Sequence, residues 1–152
     1  MSQIEQKIIE LGFLLPETAK PLAAYIPAVQ SGNLVFTSGQ LPMIEGRLAE
    51  TGKVGGTVSP ERAKELATVC ALNALAAVKT VIGDLDKIKR IVKVVGFVSS
   101  VPEFSAQPAV VNGASEFLGA VFGDKGIHAR SAVGVAVLPL DAPVEIELIV
   151  EV

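Results

Sequence analysis

One cysteine, one histidine, one tyrosine and no tryptophan are the scarcities that narrow this chain first. The lone Cys70 excludes an intramolecular disulfide and suits a reducing compartment. One His and one Cys without a dense carboxylate cluster offer no ligand set, so no metal is expected. No Ser-His-Asp or Cys-His arrangement can be read from the spacing either. Basic runs are missing too: 13 Lys and Arg face 16 Asp and Glu, for a net charge of −3. The closest basic grouping is Lys87, Lys89, Arg90 and Lys93. Phosphate binding needs clustered cations, so no nucleic-acid partner is expected. No apolar run reaches the roughly 18 residues of a membrane span. Met1–Lys7 lacks the basic and apolar regions of a signal peptide. The expectation is a soluble, cytoplasmic chain with no membrane partner.

What is present is aliphatic. Half of the 152 residues are apolar and only 5% aromatic, enough for one domain over 1–152 with a core that needs no staples. Ile4, Ile8, Ile9 and Leu11 repeat at helical spacing before Gly12, which marks residues 1–20 as an N-terminal helical extension. Pro16 and Pro21 then punctuate an extended approach to a first strand over 24–30. Ser31-Gly32-Asn33 makes a tight turn into a return strand over 34–38. Residues 43–58, with Gly46, Gly52, Gly55 and Gly56, read as a loop too polar and interrupted for the core.

Ser59-Pro60-Glu61 starts a helix that runs to Ile82 and stops at Gly83. Its stripe of Leu66, Cys70, Ala74, Ala77, Val78 and Val81 is rich in small residues suited to close packing on a sheet. A strand over 91–99, a helix over 106–122 ended by Gly123, and strands over 130–138 and 144–152 complete the order ββ-α-β-α-ββ. This is an α+β fold with two helices packed on one face of a mixed sheet. Ala132–Leu138 has no polar side, and a second apolar sheet face implies cover by another subunit, hence a homo-oligomer.

The last fifth of the chain carries the chemistry. Arg130 stands at the entry of an apolar strand, and the next strand alternates Val144, Ile146 and Leu148 with Glu145 and Glu147. A buried guanidinium needs a partner, because leaving it unpaired costs several kcal/mol. That partner is either Glu145 or Glu147 across adjacent strands, or the carboxylate of a ligand gripped by the planar arginine fork. Glu145, on the opposite pleat from Val144, either orients a water or makes an interfacial ion pair. His128, two residues before Arg130, could serve as a general base, but a lone histidine in a loop is more often a surface or packing residue. Cys70 reads as a core thiol. Gly52–Thr57 lacks the phosphate-loop pattern and its strand–loop–helix setting.

With these residues assembled, the chain resembles the Rid family, also called YjgF/YER057c/UK114, from Tyr25 to its C-terminus. The matching segments are Asn33–Pro42 (NLVFTSGQLP), then Arg130-Ser131, Leu138-Pro139 and Val144-Glu145-Ile146-Glu147 at the family's intervals. The resemblance implies a chorismate mutase-like fold of the bacillary type and a homotrimer with clefts between subunits. It implies hydrolytic deamination of reactive 2-imino or enamine acids to 2-keto acids and ammonia, with no cofactor required because the imine is already electrophilic. Arg130 would clamp the substrate carboxylate and Glu145 would hold the hydrolytic water. Tyr25, Ser38 and Asn112 would line the pocket, and Gly39 would be a turn glycine. Deaminase members often carry Cys where this chain has Ala132, a position that acts through its backbone. The alternative is a non-catalytic trimeric binder of small carboxylates. An endoribonuclease or translation inhibitor, a label some members carry, sits poorly with the acidic balance.

Overall fold

The computed structural model describes residues 1–18 and 24–152. Pro21, in the expected extended approach, lies outside the described residues. Helix α1 (Gln3–Glu10) is followed by strands β1 (Ala28–Ser31), β2 (Leu34–Thr37), β3 (Met43–Ile44) and β4 (Arg47–Leu48). Helix α2 (Pro60–Ile82), β5 (Arg90–Ser99), α3 (Gln107–Phe122), β6 (Ala129–Val135) and β7 (Val144–Glu151) complete the chain.

Local chemistry explains most boundaries. The Ser59 side chain accepts a hydrogen bond from the Arg62 N–H, capping α2 one residue ahead of Pro60. Gly83 ends α2 in a left-handed conformation, φ 79°. Ser2 caps α1, whose first amides, of Gln3 and Ile4, both donate to the Asp86 carboxylate at 2.9 Å. Fully buried Ile8 anchors that helix from its other side.

The five-stranded sheet runs β1-β2-β7-β5-β6. Every pairing is antiparallel except β5 with β6, which the α3 crossover makes parallel. Helices α2 and α3 cover one face. Their backbones approach so closely that a Cβ on Gly113 would overlap the Lys64 carbonyl, and Thr68 Oγ1 donates to the Gly113 carbonyl at 2.9 Å. Ile91, Val94, Val98, Ile146, Leu148 and Val150 meet Leu66, Leu75 and Leu118 there. Each such aliphatic side chain contributes about 1.5–3 kcal/mol on full burial.

Strand β7 alternates perfectly between buried and half-buried residues. Register places Val29, Phe36, Ile149, Phe97 and Val133 on the other face, which no helix among the described residues covers. Val29 and Val133 are about half exposed there, at 51% and 45%.

Three expectations need correction. The first strand begins at Ala28 rather than 24, with Ala24 and Tyr25 in a bend. The region 43–58 is not outside the core: Val54 and Val58 are buried. Val54 donates to the Ser99 carbonyl and accepts from the Val101 N–H, which stitches the loop to the end of β5. It also folds a small β3–β4 hairpin, turning at Glu45 (φ 51°) and Gly46 (φ 80°). Strand β6 ends at Val135 rather than 138, where the chain leaves the sheet and the Lys53 ammonium donates to the Ala136 carbonyl.

Candidate functional site

Arg130 sits on β6, the sheet's edge, and pairs in register with Val94, which in turn pairs with Leu148. It therefore points to the helix side. Its Nη1 donates to Asn112 Oδ1 at 2.7 Å and to Ser115 Oγ at 3.2 Å, both on α3. Its Nη2 donates to the Pro108 carbonyl at 3.4 Å. All three acceptors are neutral, and among the described residues the guanidinium makes no ion pair. Of five N–H groups, the Nε–H and one on Nη2 have no protein acceptor among those residues. Ala132 lies two residues on along the same face, partly buried and paired with Gly96.

The cross-strand salt bridge expected as one reading of Arg130 is absent, for a topological reason. Strand β5 lies between β6 and β7, so the two strands are not neighbours. Glu145 and Glu147 pair with Phe97 and Val95, one pleat out of phase with Val94, and so project from the uncovered face.

There Glu145 is half-buried, and its carboxyl is held above the ordinary range by burial first and by the neighbouring Glu147 second. Burial raises Glu147 as well. A Cβ on Gly39 would overlap Glu145 Oε1, so only glycine lets that carboxylate lie against the backbone. The next residue locks the position: Gln40 and Ile146 exchange backbone hydrogen bonds at 2.8 and 3.0 Å. Ser38 donates its hydroxyl to the Ile26 carbonyl and its N–H to the Pro27 carbonyl, both at 2.7 Å, which ties down the bend carrying Tyr25. Tyr25 is half exposed, at 49%. The sequence-derived residues thus fall into two groups: Arg130, Asn112 and Ala132 on one side, and Ser38, Gly39 and Glu145 on the other, with Tyr25 in the bend that Ser38 ties down.

Comparison with known proteins decides the kinship. The family model described as "YjgF/chorismate mutase-like, putative endoribonuclease" matches residues 5–152. The chain belongs to the YjgF/Rid family. The match includes most of α1 as well as the sheet and the two long helices. Within the family, the chain is 40% identical to protein TCP17 of Trypanosoma cruzi, over 98% of this chain and 94% of that one. It is 33% identical to the 2-iminobutanoate/2-iminopropanoate deaminase of Escherichia coli K12, over 84% and 87% of the respective chains. The crystal structure of Atu1372 from Agrobacterium tumefaciens, a protein of unknown function, superposes with a TM-score of 0.93 at 51% identity, covering 99% of this chain and 92% of that one. The α+β, mixed-sheet architecture with helices on one face is that of this YjgF/chorismate mutase-like family.

Two residues of this YjgF/Rid chain escaped the sequence reading. Ser115 carried no signal beyond its place on a helix. His128, taken as a surface or packing residue, is partly buried and hydrogen-bonded through both ring nitrogens, to the Gly126 carbonyl at 2.6 Å and to Ser115 Oγ at 2.9 Å. Its position two residues from Arg130 was the available clue. Cys70 is the buried core thiol expected, with burial raising its pKa well above the ordinary thiol range. Helix α2 is long and apolar enough to cross a membrane, yet it is a core helix packed on the sheet.

Proposed function

We propose that this protein hydrolyses reactive 2-imino acids to 2-keto acids and ammonia, in clefts between the subunits of a homotrimer. The observation that carries the reading is Arg130, a half-buried guanidinium that, among the described residues, is held by neutral acceptors only and keeps its Nε–H for an incoming carboxylate. Glu145 supplies the second element, a carboxylate whose raised pKa suits taking up and returning a proton.

The two point from opposite faces of one sheet, so a cleft that uses both must draw them from different protomers. The uncovered face, with Val29, Phe36, Phe97, Val133 and Ile149, offers a second copy of the chain an apolar surface. The family resemblance implies three copies.

In the reaction, Arg130 holds the carboxylate and places the imine carbon beside a water. The water oxygen adds to that carbon while Glu145 accepts its proton and passes one to nitrogen, giving a carbinolamine. Loss of ammonia and formation of the C=O bond complete the hydrolysis. The imine is already electrophilic, so no cofactor is invoked, and positioning with charge complementarity supplies the acceleration.

Imines generated in situ from several amino acids, with release of the 2-keto acid followed, test this reading. Arg130→Ala is expected to lower turnover by 100-fold or more (a loss of about 3 kcal/mol of transition-state binding) while leaving assembly intact in sedimentation. An Arg130→Ala protein that retains wild-type turnover overturns it.

One observation favours a second reading. The Arg130 group is complete within one protomer without Glu145, which is all that a non-catalytic carboxylate binder needs. Tight 2-keto acid binding without imine hydrolysis selects that reading.

A further inference from the structure

We infer that Ser115 and His128 form a directional relay that sets the orientation of Arg130, making them positioning residues for carboxylate recognition. The inference rests on the reading of Arg130 as the carboxylate grip. The Gly126 carbonyl can only accept a hydrogen bond. At 2.6 Å from it, His128 Nδ1 must carry the proton. In the neutral ring Nε2 is then an acceptor, and the Ser115 hydroxyl 2.9 Å away donates to it. With its hydrogen spent, Ser115 Oγ has only lone pairs to offer, and one receives Arg130 Nη1 at 3.2 Å. The chain of donors therefore runs one way, from Arg130 to Ser115 to His128 to the backbone.

The consequence is geometric. Asn112 Oδ1 and Ser115 Oγ use both hydrogens of Nη1, so that nitrogen cannot face a ligand. What remains is Nε and Nη2, and the carboxylate is taken through those atoms. Without Ser115 the guanidinium is free to rotate about its stem, and the side chain must be reordered each time a ligand binds. The histidine acts one step further back. It orients a hydroxyl that would otherwise rotate, and its own ring is fixed by the turn at Gly126 that ends just before β6. None of the three links involves an acidic group, so the relay orients Arg130 and leaves its charge available to the ligand.

His128 is the only histidine in the chain, so its ring nitrogens give a single set of signals in long-range ¹H–¹⁵N NMR. The wild type is expected to show the Nδ1–H tautomer, and Ser115→Ala to shift the Nε2 resonance. Pyruvate binding is followed by calorimetry, and imine turnover by steady-state kinetics. Ser115→Ala is expected to weaken pyruvate and raise KM about tenfold, the scale of one hydrogen bond to a charged group, with kcat changed less than about threefold. Ser115→Thr, which keeps the hydroxyl, restores both.

An Nε2–H tautomer in the wild type overturns the relay. So does a Ser115→Ala protein that binds pyruvate as the wild type does. A wild type that neither binds pyruvate nor hydrolyses imines sinks the proposed function and with it the role in carboxylate recognition, whereas imine turnover and pyruvate binding that survive in Ser115→Ala sink the relay alone.

Discussion

Glu145 and Glu147 are unfavourably placed for stability, and that is measurable. Burial holds both carboxyls above their ordinary range in the folded chain, so the native state keeps protons that the unfolded chain releases. Between the ordinary and the raised pKa values, stability therefore falls as pH rises. Below about pH 4 both states are protonated and the penalty vanishes. Glu145→Gln is expected to raise the melting temperature at pH 7, with the gain shrinking as the pH approaches 4. Thermal denaturation across that range checks it. A Gln variant that melts lower at pH 7 would instead mean that Glu145 pairs with a cation, such as one brought to that face by a second protomer. Gly39 answers to the same carboxylate. Gly39→Ala puts a methyl group where Glu145 Oε1 lies, so a loss of about 1–3 kcal/mol from overpacking is expected in chemical denaturation, together with impaired turnover.

At the scale of elements, α1 is held by a contact distant in sequence. Asp86 accepts from the Ile4 and Gln3 amides, and those two bonds, Ile4 first, lower its pKa. A depressed carboxylate contributes stability above its unfolded pKa and loses it as pH falls through the folded value. Docking of α1 should thus weaken in acid. Asp86→Ala is expected to speed amide exchange at Gln3 and Ile4 at neutral pH while β5 and β7 stay protected. Uniform exchange loss through the sheet would show that α1 is part of the global folding unit instead.

For the whole molecule, the uncovered sheet face is the feature that a single chain leaves unresolved. Val133 lies on it, 45% exposed and in register with Phe97, which pairs with Glu145. Val133→Asp places a charge on that apolar surface, far from the helix-side core. The variant is expected to sediment as a monomer with native circular dichroism and no imine turnover, because a cleft built from two protomers would be lost. Retained turnover in a monomer would show that one chain suffices.

How much of this could be read from the chain alone divides along a physical line. Periodicity and caps are local, so α2 from its Ser59 cap to Gly83, the end of α3 at Gly123, and the two faces of β7 were legible within a residue or two. Arg130 and Glu145 stood out as charges in apolar strands, and Asn112, named only through family resemblance, does meet Arg130. Strand order is a different matter, because it depends on pairings between residues far apart in sequence, for which local propensity carries no information. Chain order suggested that β6 and β7 lie side by side. The α3 crossover instead sets β6 parallel to β5 on one flank, and β7 returns antiparallel on the other. That arrangement separated Arg130 from Glu145, turned them to opposite faces, and brought Ser115 and His128 to the guanidinium.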